Sequence, residues 1–271
     1  MTPFVAHRPG TLEQAVSLLS ENEDAKLLAG GHSLIPVMKQ GLATPSALVD
    51  LDLIAELKGI SLTPKGVRIA AMTRHAQVAA SDMVSGAIPA LAALAGRIGD
   101  PHVRHRGTLG GSVATNDPNA DYPAAVLALD AIVETTARTI AAQDYFCGMY
   151  TTALEPDEII VGIEFPRPDW ACYEKACHPA SGFAMVGVFV ARFGGEVRVS
   201  ITGAGVDGVF RHAGLETALV AEFSPESIDD VEIDADDMAS DFHASQAYRA
   251  NLVKVLTRRC VARCLSETPR D

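Results

Sequence analysis

Two glycine pairs constrain this chain more than any other feature of its sequence. The first lies in "LLAGGHSL", residues 27–34, where a short apolar run meets Gly30 and Gly31. The second lies in "TLGGS", residues 108–112. A tight turn needs only one glycine, and glycine is the residue that lets a backbone approach a ligand closely. Because hydroxyl residues flank both pairs, the sequence predicts two loops against which a ligand lies.

The chemistry of these two loops favours a buried diphosphate as the ligand. Successive backbone N–H groups hold anions, and a helix that begins at such a loop adds its dipole. Neither loop contains Lys or Arg, so backbone and hydroxyl donors would hold the charge. Asp121 follows the second loop by nine residues, where a carboxylate suits ribose or ribityl hydroxyls. The combination predicts a dinucleotide site, although a single Gly–Gly pair is more often an ordinary turn.

The first half of the chain has the pattern of a mixed α and β structure. Residues 1–56 follow a β-α-β order, and Thr11 and Gln14 form a capping-box pair at the first predicted helix. A hairpin that turns at residues 64–66 and two alanine-rich helices come next. The polar stretch 105–123 is then predicted as one long functional loop.

The second half predicts a separate group of strands and helices. The strand "EIIVGIEFP" ends at Pro166, and two apolar strands then form a hairpin through Gly194 and Gly195. A helix, an acidic linker over residues 224–241 and a closing amphipathic helix complete this part.

Composition argues against several classes of protein. A net charge of −12 does not suit nucleic-acid binding, which depends on clustered Lys and Arg. The five cysteines are odd in number and none is spaced C-x-x-C, which argues against a disulfide framework, a zinc site or an iron–sulfur cluster. We see neither a signal-peptide pattern nor a transmembrane segment, so a cytoplasmic setting is expected.

Four stretches together resemble the FAD-binding medium subunit of the molybdenum hydroxylases, of the aerobic carbon monoxide dehydrogenase and xanthine dehydrogenase type. They extend over nearly the whole chain and are "LLAGGHSLIPVMK", "IGDPHVRHRGTLGGSVATNDPNADYPAA", "TALEPDEIIVGIEFP" and "YEKACHPASGFAMVGV". The resemblance implies an α+β fold with a two-lobed FAD-binding domain of the PCMH type, residues 1–56 and 57–172. A C-terminal α+β domain with a small antiparallel sheet, residues 173–271, would follow.

The resemblance also implies which residues bind FAD. They are Ala29, Gly30, Gly31, His32, Ser33, Leu34, Thr108, Leu109, Gly110, Gly111, Ser112, Asp121, Ile160 and Lys175. Some relatives place a tyrosine near the flavin ring where this chain has Phe183, so an aromatic face would remain without the hydroxyl. An ordinary core position is an equal alternative for Phe183.

The function that the resemblance implies is electron transfer within a complex. A large partner subunit would carry the molybdopterin cofactor and oxidise the substrate, and a small one would carry two [2Fe–2S] clusters. The clusters would reduce FAD on this chain, which would pass electrons to an external acceptor in a dimer of heterotrimers. No acid, base or nucleophile is then needed here, because the cofactors carry the chemistry. The substrate stays open among carbon monoxide, an aldehyde and an N-heterocycle, as does the acceptor.

Two other functions stay open at this point. A stand-alone FAD oxidase would use a covalent flavin link, for which His32 is a candidate, although a donor or packing role suits that position better. A non-catalytic subunit would bind the dinucleotide for assembly alone. His102 and His105 are equally consistent with a phosphate or partner contact and with a solvated loop.

Two motif matches are rejected on their context. "GAGVDG", residues 203–208, has the Rossmann glycine spacing, but an acidic linker stands where the second parallel strand should follow. "DPNAD", residues 117–121, resembles the start of a calcium loop, but Tyr122 and Ala128 occupy the positions of its glycine and glutamate.

Overall fold

The computed structural model describes residues 2–267, and three main β-sheets follow one another along them. The first is a parallel sheet in the strand order β1-β3-β2, as its β-α-β pattern predicts. Its elements are β1 Val5–His7, α1 Leu12–Ser20, β2 Lys26–Leu28, α2 Leu34–Lys39 and β3 Ala47–Asp50. Helix α1 begins as predicted, because the Thr11 side chain accepts a hydrogen bond from the Gln14 N–H. Residues 1 and 268–271, the ends of the first and third predicted domains, lie outside the described residues.

The second sheet is antiparallel in all four of its strand pairs, and its order is β4-β5-β10-β6-β7. A two-stranded ribbon, β8 with β9, lies between its later strands in sequence. The strands are β4 Ile60–Leu62, β5 Gly66–Ala70, β6 Ile132–Thr135, β7 Thr139–Ala141, β8 Phe146–Gly148, β9 Thr151–Thr152 and β10 Ile160–Pro166. The predicted hairpin turn at 64–66 and the predicted strand end at Pro166 are confirmed.

Seven short helices lie among these strands. They are α3 His75–Ala79, α4 Asp82–Ala87, α5 Pro89–Gly96, α6 Pro101–Arg106, α7 Leu109–Thr115, α8 Tyr122–Ala128 and α9 Ala142–Tyr145. The prediction of one long loop over residues 105–123 is wrong, because α7 occupies its centre. Thr108 caps α7 by accepting a hydrogen bond from the Gly111 N–H, which offsets the poor helix propensity of the glycine pair.

The third sheet is antiparallel in the order β11-β12-β13-β14. Its elements are β11 Trp170–Cys177, β12 Ala184–Phe193, β13 Glu196–Gly205 and β14 Gly208–Arg211, followed by α10 Ala213–Ala221 and α11 Gln246–Glu267. The "GAGVDG" stretch is the hairpin between β13 and β14, with Gly205 opposite Gly208. Antiparallel pairing agrees with the rejection of a Rossmann crossover. Among residues 2–267, no helix combines the length and apolar character that a membrane span requires.

Two hydrophobic cores hold these layers together. The larger joins the first two sheets and includes Phe165, with Tyr173 and Phe189 reaching in from the third sheet. The smaller fills the space between the third sheet and α10 and α11. Full burial of one such side chain stabilises the fold by roughly 1.5–3 kcal/mol. The shared larger core fixes the three sheets relative to one another, which sets the shape of the cleft between them.

Glu158 predicts a specific acid sensitivity of this fold. Its buried carboxylate accepts hydrogen bonds from the Thr135 hydroxyl at 2.6 Å and the Arg138 Nε at 3.1 Å. Burial alone would raise the pKa of Glu158, but these donors outweigh burial and lower that pKa from 4.5 to about 2. A carboxylate with a lowered folded-state pKa stabilises the fold above its unfolded pKa. We therefore expect its contribution to be complete above pH 4.5 and lost as the pH falls to about 2.

Urea unfolding of the wild-type chain and Glu158→Gln, measured across this pH range, tests the expectation. The wild-type chain should lose its stability advantage over the variant as the pH falls. Parallel pH profiles for the two proteins would show that Glu158 does not titrate in this way.

Candidate dinucleotide-binding cleft

The first glycine loop leaves β2 and enters α2 with open backbone donors. Gly31 has a φ of +75°, a conformation that suits glycine. Within residues 2–267, the N–H groups of residues 31–34 have no hydrogen-bond partner. Four successive unpaired N–H groups at the start of a helix form the kind of nest that binds an anion.

The second glycine loop is built differently, because Thr108 is a helix cap and residues 109–112 are the first turn of α7. The Leu109 N–H donates to the Thr73 carbonyl at 3.0 Å, and the Gly110 N–H donates to the Ala71 carbonyl at 2.8 Å. A Cβ on Gly110 would lie 2.5 Å from the Ala71 Cβ, so this glycine lets α7 pack on the second sheet. The loop therefore contributes surface and hydroxyl groups, and its own N–H groups are used within the protein.

The two loops touch each other, although they belong to different sheets. A Cβ on Gly30 would lie 2.4 Å from the Arg106 carbonyl oxygen and 2.7 Å from the Gly107 Cα. A Cβ on Gly111 would lie 3.3 Å from the Ala29 Cβ. At Gly30 only glycine allows this approach, which joins the two loops into one continuous wall.

That wall faces a cleft with a volume of about 830 Å³, a size typical of ligand sites. Twelve of the fourteen predicted FAD contacts line it, namely residues 29–34, Thr108, residues 110–112, Asp121 and Ile160. Leu109 and Lys175 do not line it among the described residues. Leu109 belongs to the second loop, but its side chain is fully buried. Phe183 lies at the cleft with 48% of its surface exposed, so it is not an ordinary core aromatic.

Lys175 is enclosed behind the cleft by protein acceptors. Its ammonium lies 2.8 Å from Asp121 Oδ1, and both side chains are buried. The ammonium also donates to the carbonyls of Arg97 and Gly182, both at 2.9 Å. A lysine ammonium has three N–H donors, so these three acceptors use all of them.

Asp121 connects this buried network to the cleft wall. Its Oδ1 also accepts a hydrogen bond from the Tyr173 hydroxyl at 2.6 Å. Burial raises the pKa of Asp121, and the neighbouring Lys175 charge and the two hydrogen bonds act against that rise. The network connects α8, β11 and the segment that carries Phe183 at one corner of the cleft.

His75 and Tyr150 are among the cleft-lining side chains that sequence reasoning missed. His75 is buried, and its Nδ1 has no hydrogen-bond partner among the described residues. Burial lowers the pKa of His75 to about 4, and the charges of His32 and Arg104 act in the same direction. The imidazole is therefore neutral at pH 7, and its Nδ1 is buried without a hydrogen-bond partner among the described residues. No local motif marks either residue.

Backbone donors, not basic side chains, would hold a diphosphate in this cleft, because its lining also includes the carboxylates of Asp117, Asp121, Glu155 and Glu158. Among its described lining residues, Lys26 is the one Lys or Arg side chain. His102 and His105 lie on α6 and do not line the cleft; the His102 side chain is almost fully exposed beside Asp100. The open N–H groups of residues 31–34 are the donors that such a ligand would satisfy.

Comparison with known proteins agrees with this geometry. Residues 2–168 match the family model described as the FAD binding domain in molybdopterin dehydrogenase. The nicotine 6-hydroxylase medium subunit of Paenarthrobacter nicotinovorans is 36% identical over 96% of both chains. The carbon monoxide dehydrogenase medium chain of Hydrogenophaga pseudoflava is 35% identical over 96% of this chain and 98% of its own.

Solved structures confirm the predicted α+β class. A chain of the Cu,Mo-CO dehydrogenase in its cyanide-inactivated form superposes with a TM-score of 0.91 and 34% identity, covering 99% of this chain and 100% of its own. The family match, the relatives and the cleft agree with the resemblance seen in the sequence. The chain belongs to the family of FAD-binding domains of molybdopterin dehydrogenases.

Proposed function

We propose that this chain is the FAD-carrying electron-transfer subunit of a molybdenum-containing hydroxylase complex. The observation that carries the proposal is the junction of the two glycine loops, where four open N–H groups face a cleft of about 830 Å³. Relatives at 35–36% identity over almost the whole chain are medium subunits of such oxidoreductases. FAD, when bound, accepts electrons from one centre and delivers them to another.

The chain's own residues bind and orient the cofactor. The N–H groups of residues 31–34 bind the diphosphate, and the hydroxyl groups of Ser33 and Ser112 lie in the same cleft to add donors. Asp121 and Ile160 line the cleft, and Phe183 offers an aromatic face. Leu109 and Lys175 act from behind the wall, by packing and by holding Asp121 in place.

The partners and the path of electrons follow from the family. A large subunit carries the molybdopterin cofactor, and two [2Fe–2S] clusters of a small subunit reduce FAD on this chain. An external acceptor then takes the electrons. We further propose a cytoplasmic dimer of heterotrimers. We also propose domain limits of 1–56, 57–172 and 173–271. The three successive sheets support a division into three units, and the third sheet begins with β11 at Trp170, three residues before the proposed limit.

Flavin loading of the 271-residue chain tests this proposal. We expect FAD to bind one to one and to give a visible flavin spectrum. Acid precipitation should release the colour into the supernatant, because the cleft holds FAD without a covalent bond. Colour that stays with the protein would instead support a stand-alone oxidase linked through His32, which lines the cleft.

Electron transfer is tested after the chain is copurified with its neighbours. The flavin absorbance should bleach when the complex receives a substrate of the molybdenum subunit, and iron–sulfur absorption should appear only with the small subunit present. Flavin that binds but is never reduced by any donor would favour an assembly role. A chain that refuses FAD would overturn the proposal.

A further inference from the structure

Tyr150 has a backbone conformation that bulky residues avoid. Its φ is +55°, and among residues 2–267 only two other non-glycine residues have a positive φ, Asn116 and Asp130. Asn and Asp tolerate the left-handed region, because their short polar side chains form local hydrogen bonds there. An aromatic residue gains no such compensation, so the conformation of Tyr150 is strained.

Asn116 imposes this strain from the end of α7. The Tyr150 N–H donates to the Asn116 carbonyl at 3.0 Å. The Asn116 side-chain amide donates to the carbonyls of Gly148 at 2.8 Å and Thr151 at 3.0 Å, on either side of Tyr150. Asn116 is itself buried and left-handed. Three hydrogen bonds with Asn116 therefore hold the turn at residues 148–151, and α7 connects Asn116 directly to the second glycine loop.

The strain is not compensated by packing of the Tyr150 ring. The residue is 61% exposed, and its ring forms part of the cleft wall. Its hydroxyl donates to Asp117 Oδ2 at 3.3 Å, which adds a second restraint on the ring. Strained residues that the surrounding structure holds in place cluster at ligand sites. The held backbone and the hydroxyl contact to Asp117 thus place the exposed ring at the cleft wall.

We propose that Tyr150 is an FAD-binding residue that places its ring against a planar ring system of the dinucleotide. This inference rests on the proposed function, because it takes FAD as the ligand of the cleft. Both ends of FAD are flat and aromatic, and an aromatic side chain stacks on such surfaces with little loss of conformational freedom. Asn116 and Asp117 are positioning residues for that ring.

Replacement of Tyr150 by glycine distinguishes the effect of backbone strain on stability from the effect of the ring on FAD binding. Tyr150→Gly removes the ring and relieves the positive φ, so the FAD-free chain should melt at the wild-type temperature or above it. Its dissociation constant for FAD should nevertheless rise by roughly tenfold or more, in line with the loss of one aromatic stacking contact. Flavin fluorescence titration and thermal melting of the FAD-free chain measure the two effects.

Two further variants complete the test. Tyr150→Phe keeps the ring and should bind FAD nearly as the wild-type chain does, whereas Tyr150→Leu keeps the strained backbone without the ring and should bind weakly. Tyr150→Leu also serves if Tyr150→Gly does not fold. Wild-type affinity in Tyr150→Gly or Tyr150→Leu would overturn the inference and leave the proposed function intact. Failure of the wild-type chain to bind FAD would overturn the proposed function itself.

Titration with the two halves of FAD identifies the ring. If Tyr150→Leu weakens binding of FMN, the contact is to the isoalloxazine; if it weakens binding of ADP, the contact is to the adenine. Unchanged binding of both halves, together with unchanged binding of FAD, would show that Tyr150 contacts neither ring.

Discussion

Lys175→Met should lower the free energy of unfolding by about 3–5 kcal/mol, the usual cost of removing one partner from a buried ion pair. Methionine fills similar space but supplies no N–H donors. Asp121 would keep only the Tyr173 hydroxyl, and the carbonyls of Arg97 and Gly182 would lose their donor. Urea unfolding measures the loss. Lys65→Met, at an exposed lysine of the hairpin turn, is the matched control and should change stability little.

The pH dependence of this variant identifies the cause of its instability. Without Lys175, nothing cationic at hydrogen-bond distance opposes the burial that raises the pKa of Asp121. A folded-state pKa raised above the unfolded value of 3.8 stabilises the fold at low pH. That stability is lost as the pH rises through the folded-state pKa. Lys175→Met should therefore be least stable at neutral pH.

A double variant controls for the buried charge. Lys175→Met with Asp121→Asn removes both charges, so it should recover part of the stability that Lys175→Met loses. If the double variant is as unstable as the single one, an unpaired Asp121 is not the cause. If Lys175→Met costs no more than Lys65→Met, the network does not hold the cleft together.

Local signals predicted those parts of the fold that depend on local chemistry. Strand β10 follows from an apolar run that ends at Pro166, and α1 follows from its Thr11 cap. Helix α7 was missed because two glycines disfavour a helix, and the packing that compensates them comes from Ala71, which directly follows the distant strand β5. Whether residues 109–115 form a helix therefore depends on a tertiary contact, which the local sequence does not show.

In the cleft, too, features set by local chemistry could be predicted and features set by distant contacts could not. Glycine pairs flanked by hydroxyls predicted both loops, because the requirement for close backbone approach is written in the residues themselves. Tyr150 could not be predicted, since its conformation depends on Asn116, 34 positions earlier in the chain. The enclosure of Lys175 was hidden for the same reason, because one of its acceptors is the Arg97 carbonyl, 78 residues away.

Gly30→Ala should separate the two glycine loops and weaken FAD binding by roughly tenfold or more. Overpacking costs about 1–3 kcal/mol, and a loss of about 1.4 kcal/mol in binding free energy corresponds to a tenfold weaker affinity. The added Cβ would lie 2.4 Å from the Arg106 carbonyl oxygen and 2.7 Å from the Gly107 Cα. Both are backbone atoms, so no side chain can rotate away to make room. The loops must move apart, which displaces the open N–H groups of residues 31–34 from the second half of the wall.

Gly86→Ala is the matched control for this substitution. Gly86 lies in α4, and a Cβ there meets nothing within 4 Å. Alanine favours a helix over glycine by up to about 1 kcal/mol, so this variant should be at least as stable as the wild-type chain and bind FAD normally. Flavin titration of both variants should show weaker FAD binding for Gly30→Ala and normal binding for Gly86→Ala, and thermal melting should show that Gly86→Ala is at least as stable as the wild-type chain. If Gly30→Ala binds FAD like Gly86→Ala, then contact between the two loops is not what forms the diphosphate site.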